Sequence, residues 1–243
     1  MRKVQQVSEI VTQRLIHEIQ SGVFAGQSVL PPEVEIAALL NVNRNTVRES
    51  LTRLEREGWV VRKHGIGTLV NQHVVSLKYR LDQTYGVKRA LILSGKAADS
   101  RVIELKTVQA GTEIAKHLEL EEGEPIMSLS IVFLADGKPS IFCVDYIPER
   151  IILKKNYDKD SMQPTVFQFL KDYCGGAEIE IFLTELRAMP PSEEAAKALE
   201  VPLTSGLLFM AETGYDLRSK PVLYSEVFFL DRVIPQMVIR KMI

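Results

Sequence analysis

Residues 30–70, LPPEVEIAALLNVNRNTVRESLTRLEREGWVVRKHGIGTLV, restrict the fold more than any other stretch of this 243-residue chain. Within RNTVRESLTRLEREG, Val47, Leu51 and Leu54 recur on a helical period and form one apolar stripe, which predicts a helix. Arg44 and Arg48 lie four apart on a different face, with Asn45 and Thr46 beside them at the helix start. Asn43 is placed to cap the first turn, and Gly58 to end the helix after the charged run Arg53, Glu55, Arg56, Glu57. Upstream, PPEVEIAALLNV reads as a shorter helix, with Pro at its entry, acids in its first turn and apolar Ile36, Leu39 and Leu40 within it. Downstream, WVVRKHGIGTLV reads as two short strands around His64-Gly65-Ile66-Gly67, where the glycines permit a tight turn. Two helices joined by an Asn-containing turn and followed by a hairpin predict a winged helix-turn-helix, whose second helix can enter a DNA major groove.

The same residues carry a resemblance. LPPEVEIA, VNRNTVRESL, REG and GIGT follow in order the pattern LPSERELA, VSRxTVREAL, EG and GxGT, so residues 1–70 resemble the winged-helix domain of the GntR family of bacterial transcription regulators. That resemblance implies double-stranded operator DNA as partner, contacted through Arg44, Asn45, Thr46, Arg48, His64, Gly65 and Gly67. Two positions depart from the family: Val34 stands where it has a DNA-contacting Arg, and Ile66 where the wing has a basic residue. Fewer electrostatic contacts than in a typical member are therefore expected. The alternative, that Arg44 and Arg48 are a solvated face, has to set aside a pattern extending over the whole stretch.

Charge is distributed mildly. Residues 1–72 hold nine basic against seven acidic side chains and residues 73–243 hold 21 against 24, around a pI near 6.5. This excludes general polycation binding and leaves affinity for DNA to a few placed charges. No run approaches the roughly 18 apolar residues of a membrane span, and MRKVQQVSEIVTQ has no apolar signal core, so a cytoplasmic protein is expected. Cys143 and Cys174 show no CxxC spacing, which argues against a disulfide framework or a zinc site. No cofactor is called for.

The length suits two domains. Val7, Val11, Leu15 and Ile19 predict a first helix up to Gly22, closing the winged domain over residues 1–70. A linker is expected at 71–76, with His73 solvated, and a second domain at 77–243. That domain contains an internal repeat: AKHLELEEGEPIMSLSIVFLADGKPSIFCVDYIP (115–148) parallels AKALEVPLTSGLLFMAETGYDLRSKPVLYSEVFFLDRVIP (196–235) at an offset of 81 to 82. Each copy is a short helix ending Leu-Glu-Leu or Leu-Glu-Val, a strand, a turn ending Lys-Pro, and a returning strand. VIELKTVQA and EIEIFLTELRAMP supply a strand before each helix. The expectation is an α+β domain, a pseudo-symmetric mixed but antiparallel-rich sheet with flanking helices. QPTVFQFLKDYCGG between the copies predicts a helix started by Thr165.

This order resembles the UTRA effector-binding domain of the HutC-type GntR subfamily, whose fold is that of chorismate lyase. The resemblance implies a homodimer and a small-molecule effector that alters DNA binding. Members that bind sugar phosphates carry two arginines on the strand before the DG turn; here those positions are Ile131 and Phe133. Acids used on the returning strands are replaced by Cys143 and Leu223. Thr165 at a helix start remains able to hold an anion, and Asp145, on the same strand face as Cys143, could replace a lost polar contact, whereas Glu226 has the opposite parity to Leu223. The expected effector is a carboxylate or weakly polar metabolite. Alternatively, Ile131 and Phe133 fill a closed core. Glu185, Arg187 and Glu212 read as surface charges or a structural ion pair, and Asp231-Arg232 as an anchor for the last strand. A lyase-like enzyme and a domain that only dimerises are the rival functions; the sequence offers no catalytic His, Cys or Ser constellation for the first.

Overall fold

The computed structural model describes residues 2–84, 86–158, 165–230 and 233–240, with side chains from residue 8 onward. Two compact units emerge, Met1–Gln83 together with Gln236–Ile243, and Thr84–Pro235.

In the first unit α1 (Arg2–Gln20), α2 (Glu33–Leu40) and α3 (Arg44–Arg56) enclose one core. Val11, Leu15 and Ile19 of α1 are buried there; the side chain of Val7 lies outside the described set. Val47, Leu51 and Leu54 are fully buried, as the stripe requires. Ser50 Oγ donates to the Ser8 carbonyl of α1 across 3.1 Å, satisfying a hydroxyl buried between the two helices. In α2, Ile36, Ala37 and Leu40 face the core, while Leu39 is 49% exposed because three residues per turn cannot all reach one side. Asn41, left-handed at φ 54°, ends α2, and Asn43 caps α3, so the turn between them is only three residues long. Gly58, at φ 83°, stops α3: its N–H bonds Glu55 O and that of Trp59 bonds Leu54 O, the paired closure of a Schellman motif.

The wing strands β2 (Val60–Lys63) and β3 (Gly67–Val70) pair as expected, and β1 (Val29–Leu30) adds to the far side of β3. A two-residue strand has no periodicity, so only the partner reveals it. The expected linker at 71–76 is instead part of this unit. Helix α4 (Gln72–Val75) buries Val74 and packs Val75 against the three-helix core, and Ile239 from the C-terminal end packs there too. By compactness the second unit runs from Thr84 to Pro235, with residues 77–83 and 236–240 grouped with the winged unit.

The second unit opens with α5 (Val87–Leu93) and then runs β4 (Ala98–Gln109), α6 (Thr112–Leu118), β5 (Pro125–Ala135), β6 (Lys138–Pro148), α7 (Val166–Tyr173), β7 (Ile181–Met189), α8 (Glu193–Leu199), β8 (Leu207–Tyr215) and β9 (Pro221–Phe229). The six strands form one sheet in the order β4-β5-β6-β9-β8-β7. The order is its own mirror when the repeats are exchanged, as the duplication predicts. The sheet is antiparallel-rich as expected, and among the described residues every pairing is antiparallel, so the mixed component is absent: hairpins join β5 to β6 and β8 to β9, and the repeats meet edge to edge through β6 and β9. The Leu-Glu-Leu and Leu-Glu-Val ends share one geometry, Glu119 at φ 50° and Glu200 at φ 58°, each a left-handed cap. Helix α6 packs on β9 and α8 on β6, so each repeat covers the inner strand of the other. Phe142, Val144, Phe209 and Phe228 line that helix-covered face, and α7 covers the opposite one through Phe169 and Leu170. Asp231 and Arg232 lie outside the described residues.

Candidate functional site

The start of α3 is built by its cap. Asn43 Oδ1 accepts from Thr46 N–H at 2.8 Å and from Thr46 Oγ1 at 3.0 Å. Thr46 is consequently buried with its hydroxyl committed, and acts by fixing the helix entry rather than by offering a free donor. Asn45 and Arg48 remain on the exposed side. Arg44 is also exposed, but its Nε donates to Glu33 Oε2 of α2 at 2.9 Å, which holds the guanidinium across the helix-turn-helix. The hairpin tip is exposed throughout: Gly65 and Gly67 take φ 75° and 108°, values closed to most side chains, and present His64 before them and Ile66 between them. Val34 and Ile66 are 60% and 61% exposed, so the two apolar departures from the family pattern sit in solvent and are not core residues. One element escaped the sequence: Arg62 of β2 donates from N–H and Nε to Glu55 of α3 at 2.9 and 2.8 Å, clamping wing to helix.

In the second unit Ile131, Phe133, Cys143, Asp145 and Leu223 share the α7-covered face, by strand register and by burial in one cluster or contact with it. Ile131 and Leu223 pack under α7 and Phe133 is half-buried beside them. The register places four polar residues side by side across four strands: Asp145 pairs with Ser225, Ser225 with Glu212, and Glu212 with Thr184. Ser225 Oγ donates to Asp145 Oδ1 at 2.5 Å, Cys143 Sγ donates to the same oxygen at 3.3 Å, and Thr184 Oγ1 donates to Glu212 Oε1 at 3.0 Å. Burial raises the Asp145 carboxyl above its ordinary range, opposed by the hydrogen bonds from Ser225 and Cys143. Burial likewise raises Glu212, opposed by the Thr184 hydrogen bond, while the charge of Asp145 adds to the rise. Cys143 is pushed well above the usual thiol value by burial and by Asp145, so it stands as a neutral thiol.

Glu212 is thus neither a surface charge nor half of the Arg187 pair; Arg187 binds Glu185 at 2.6 Å in the open. Ser225 and Thr184 were missed because their signal is the register of paired strands, which no local pattern carries. Glu226 has the opposite parity, as expected, and accepts from Tyr146 and Tyr224 hydroxyls at 3.4 and 3.5 Å on the helix-covered face. Thr165 does not join the sheet residues. Its hydroxyl caps α7 by accepting from Gln168 N–H at 3.2 Å, and it lines a cavity of about 350 Å³ with Gln168, Lys171, Glu178 and apolar Phe167 and Ile179. Among the described residues, no group of His, Cys, Asp and Glu could hold a metal ion, and no helix is long and apolar enough to cross a membrane.

Comparison with known proteins agrees with both units. Residues 7–70 match the bacterial regulatory proteins of the gntR family, and residues 93–231 match the UTRA domain. The HTH-type transcriptional regulator GgaR of Escherichia coli is 26% identical over 209 residues, 85% of this chain and 80% of that one. The E. coli protein named "Probable fructoselysine utilization operon transcriptional repressor" is 26% identical over 221 residues, covering 90% and 88%. Among solved structures, YydK from Bacillus subtilis superposes with a TM-score of 0.78 at 19% identity, over 97% of this chain and 99% of that one. PhnF from Mycobacterium smegmatis gives 0.58 at 19% identity, over 95% and 99%. With a duplicated antiparallel sheet matched to the UTRA domain over more than half of the chain, and a winged helix-turn-helix matched to the gntR family ahead of it, the chain belongs to the UTRA-domain proteins and is a transcription regulator with a gntR-type DNA-binding domain.

Proposed function

We propose that the protein is a homodimeric repressor acting in the cytoplasm, that Arg48, Asn45, Arg44 and the wing tip at His64, Gly65 and Gly67 read operator DNA, and that a small metabolite on the UTRA domain changes the affinity. The observation that carries the effector reading is the polar rung Asp145-Ser225-Glu212-Thr184, set in an otherwise apolar sheet face. Buried carboxylates are acceptors when ionised and need donors. The rung, beside apolar Ile131 and Phe133, therefore suits a weakly polar ligand that donates hydrogen bonds, and disfavours the carboxylate half of the sequence expectation and any sugar phosphate. Thr165 and Lys171 line a separate cavity that could take an anionic end. The repressor direction follows the relative whose name states it. An enzymatic role is not proposed, because Cys143 is a buried neutral thiol hydrogen-bonded to a carboxylate, the opposite of an activated nucleophile.

The test is thermal melting of the full chain against amines, polyols, nucleosides, carboxylates and sugar phosphates, followed by DNA binding with any compound that stabilises it. A ligand at 100 times its dissociation constant adds about 2.7 kcal/mol, and coupling should shift duplex affinity about 5- to 150-fold. A stabilising ligand that leaves duplex affinity unchanged would reduce the UTRA domain to a dimerisation scaffold.

A further inference from the structure

The chain leaves the winged unit after Gln83 and re-enters it at Gln236, so two covalent segments join the units. Inside the winged unit these segments bond to each other, Leu81 N–H donating to Met237 O at 2.7 Å. Both are docked on its core. Arg80 is only 3% exposed, lies 5.9 Å from the centroid of the Trp59 ring and is gripped by Asp82 through two hydrogen bonds of 3.1 and 2.5 Å. Ile239, two residues past Met237, packs against the same cluster that buries Trp59. Trp59 sits where α3 meets the wing: its N–H closes the end of α3, its carbonyl accepts from Asn71 N–H at 2.8 Å, and Val60 beside it begins the wing. The docking is incompletely satisfied, since Trp59 Nε1 and Arg80 Nη1 are buried and make no hydrogen bond among the described residues. Buried donors without acceptors make a contact that a modest bias can release.

We propose that residues 76–83 and 236–240 form a paired strap that transmits the state of the UTRA domain to Trp59, and through it to the relation between recognition helix and wing. The inference rests on the effector reading above and adds the route. A chain tethered once can pass on position only through one flexible connection; two tethers bonded together resist independent rotation and so carry a bias to a single buried residue.

The test exploits reciprocity: if the UTRA domain alters duplex binding, duplex binding must alter the UTRA domain. The full chain selects a duplex from a random-sequence pool, and amide exchange of β6 and α7 is read with and without it. The expected result is a change of about fivefold or more at amides of those elements, abolished by Ile239→Asp or by removal of residues 236–243 while the duplex still binds. Where those changes cost duplex binding itself, the milder Ile239→Ala, which trims the contact without adding a charge, and Arg80→Met, which keeps an apolar stem against Trp59, decide the matter. An exchange response that survives in the strap variants overturns the strap, as does a full chain that binds duplex without any response. Failure to select any duplex would instead strike the regulator reading itself.

Discussion

Val144 of β6 pairs across the sheet with Glu226 of β9, and the two are each other's counterparts in the internal repeat. The pseudo-two-fold axis of the UTRA domain therefore passes between them. One residue away, the same symmetry brings Cys143 and its counterpart Ser225 to a single acceptor, Asp145. Duplication made the scaffold symmetric, and substitution made its centre asymmetric: Asp145 has Val227 as its counterpart. The buried charge is consequently not duplicated, and it falls at the middle of the sheet.

That charge has a pH signature. Burial holds the folded-state pKa of Asp145 and of Glu212 above the ordinary carboxylate range, so the folded chain binds protons more tightly than the unfolded one. Their contribution favours folding most at pH values below that range and is lost as pH rises through the raised folded values. Asp145→Asn and Glu212→Gln keep an acceptor for Ser225 and Thr184 but remove the buried charge. Each should raise the Tm at neutral pH, with the advantage shrinking as pH falls toward about 4. Melting curves across that interval check it; a lower Tm at neutral pH would mean that the ionised groups hold the strands together.

Restoring the arginines of sugar-phosphate binders should fail here. Ile131 is packed in the cluster beneath α7, so Ile131→Arg would bury a cation among apolar groups and should cost about 3 kcal/mol or more, whereas Phe133→Arg should be milder because Phe133 is half-buried. Denaturant unfolding with and without a sugar phosphate measures both. Rescue by the sugar phosphate would show that the site accepts a phosphate and refute the preference for a weakly polar ligand.

On the DNA side the two arginines are not equivalent. Arg48 has a free outward position, while Arg44 is engaged by Glu33. Arg48→Ala should weaken duplex binding by about 1–3 kcal/mol if it meets a base edge, and Arg44→Ala by less. Glu33→Gln should tighten binding and steepen its salt dependence by about one released ion. Anisotropy titrations at several salt concentrations separate these outcomes; equal losses for the two alanine variants would show that Glu33 yields Arg44 at no cost.

Asn43→Ala tests the cap. It removes the acceptor for both Thr46 groups, so the winged unit should lose about 0.5–2 kcal/mol, and Asn43→Asp should restore most of it. A thermal scan that finds no change would place the start of α3 under the control of its core stripe alone.

The local features of this protein were determined by sequence. The stripe Val47, Leu51, Leu54, the cap at Asn43, the stop at Gly58 and the duplicated Leu-Glu ends all obey periods or signals confined to one turn or one hairpin, and each took its expected form in the fold. Tertiary structure decided what depends on partners. Alternation along β6 places Asp145 with Cys143, but only strand register adds Ser225, Glu212 and Thr184 to form a rung from four separate segments. The same holds for β1, for the docking of Val74 and Ile239 on the winged core, and for the Glu33 bond that engages Arg44. Periodicity is a property of one segment, whereas register and docking are set by burying many segments at once, so no single stretch can announce them.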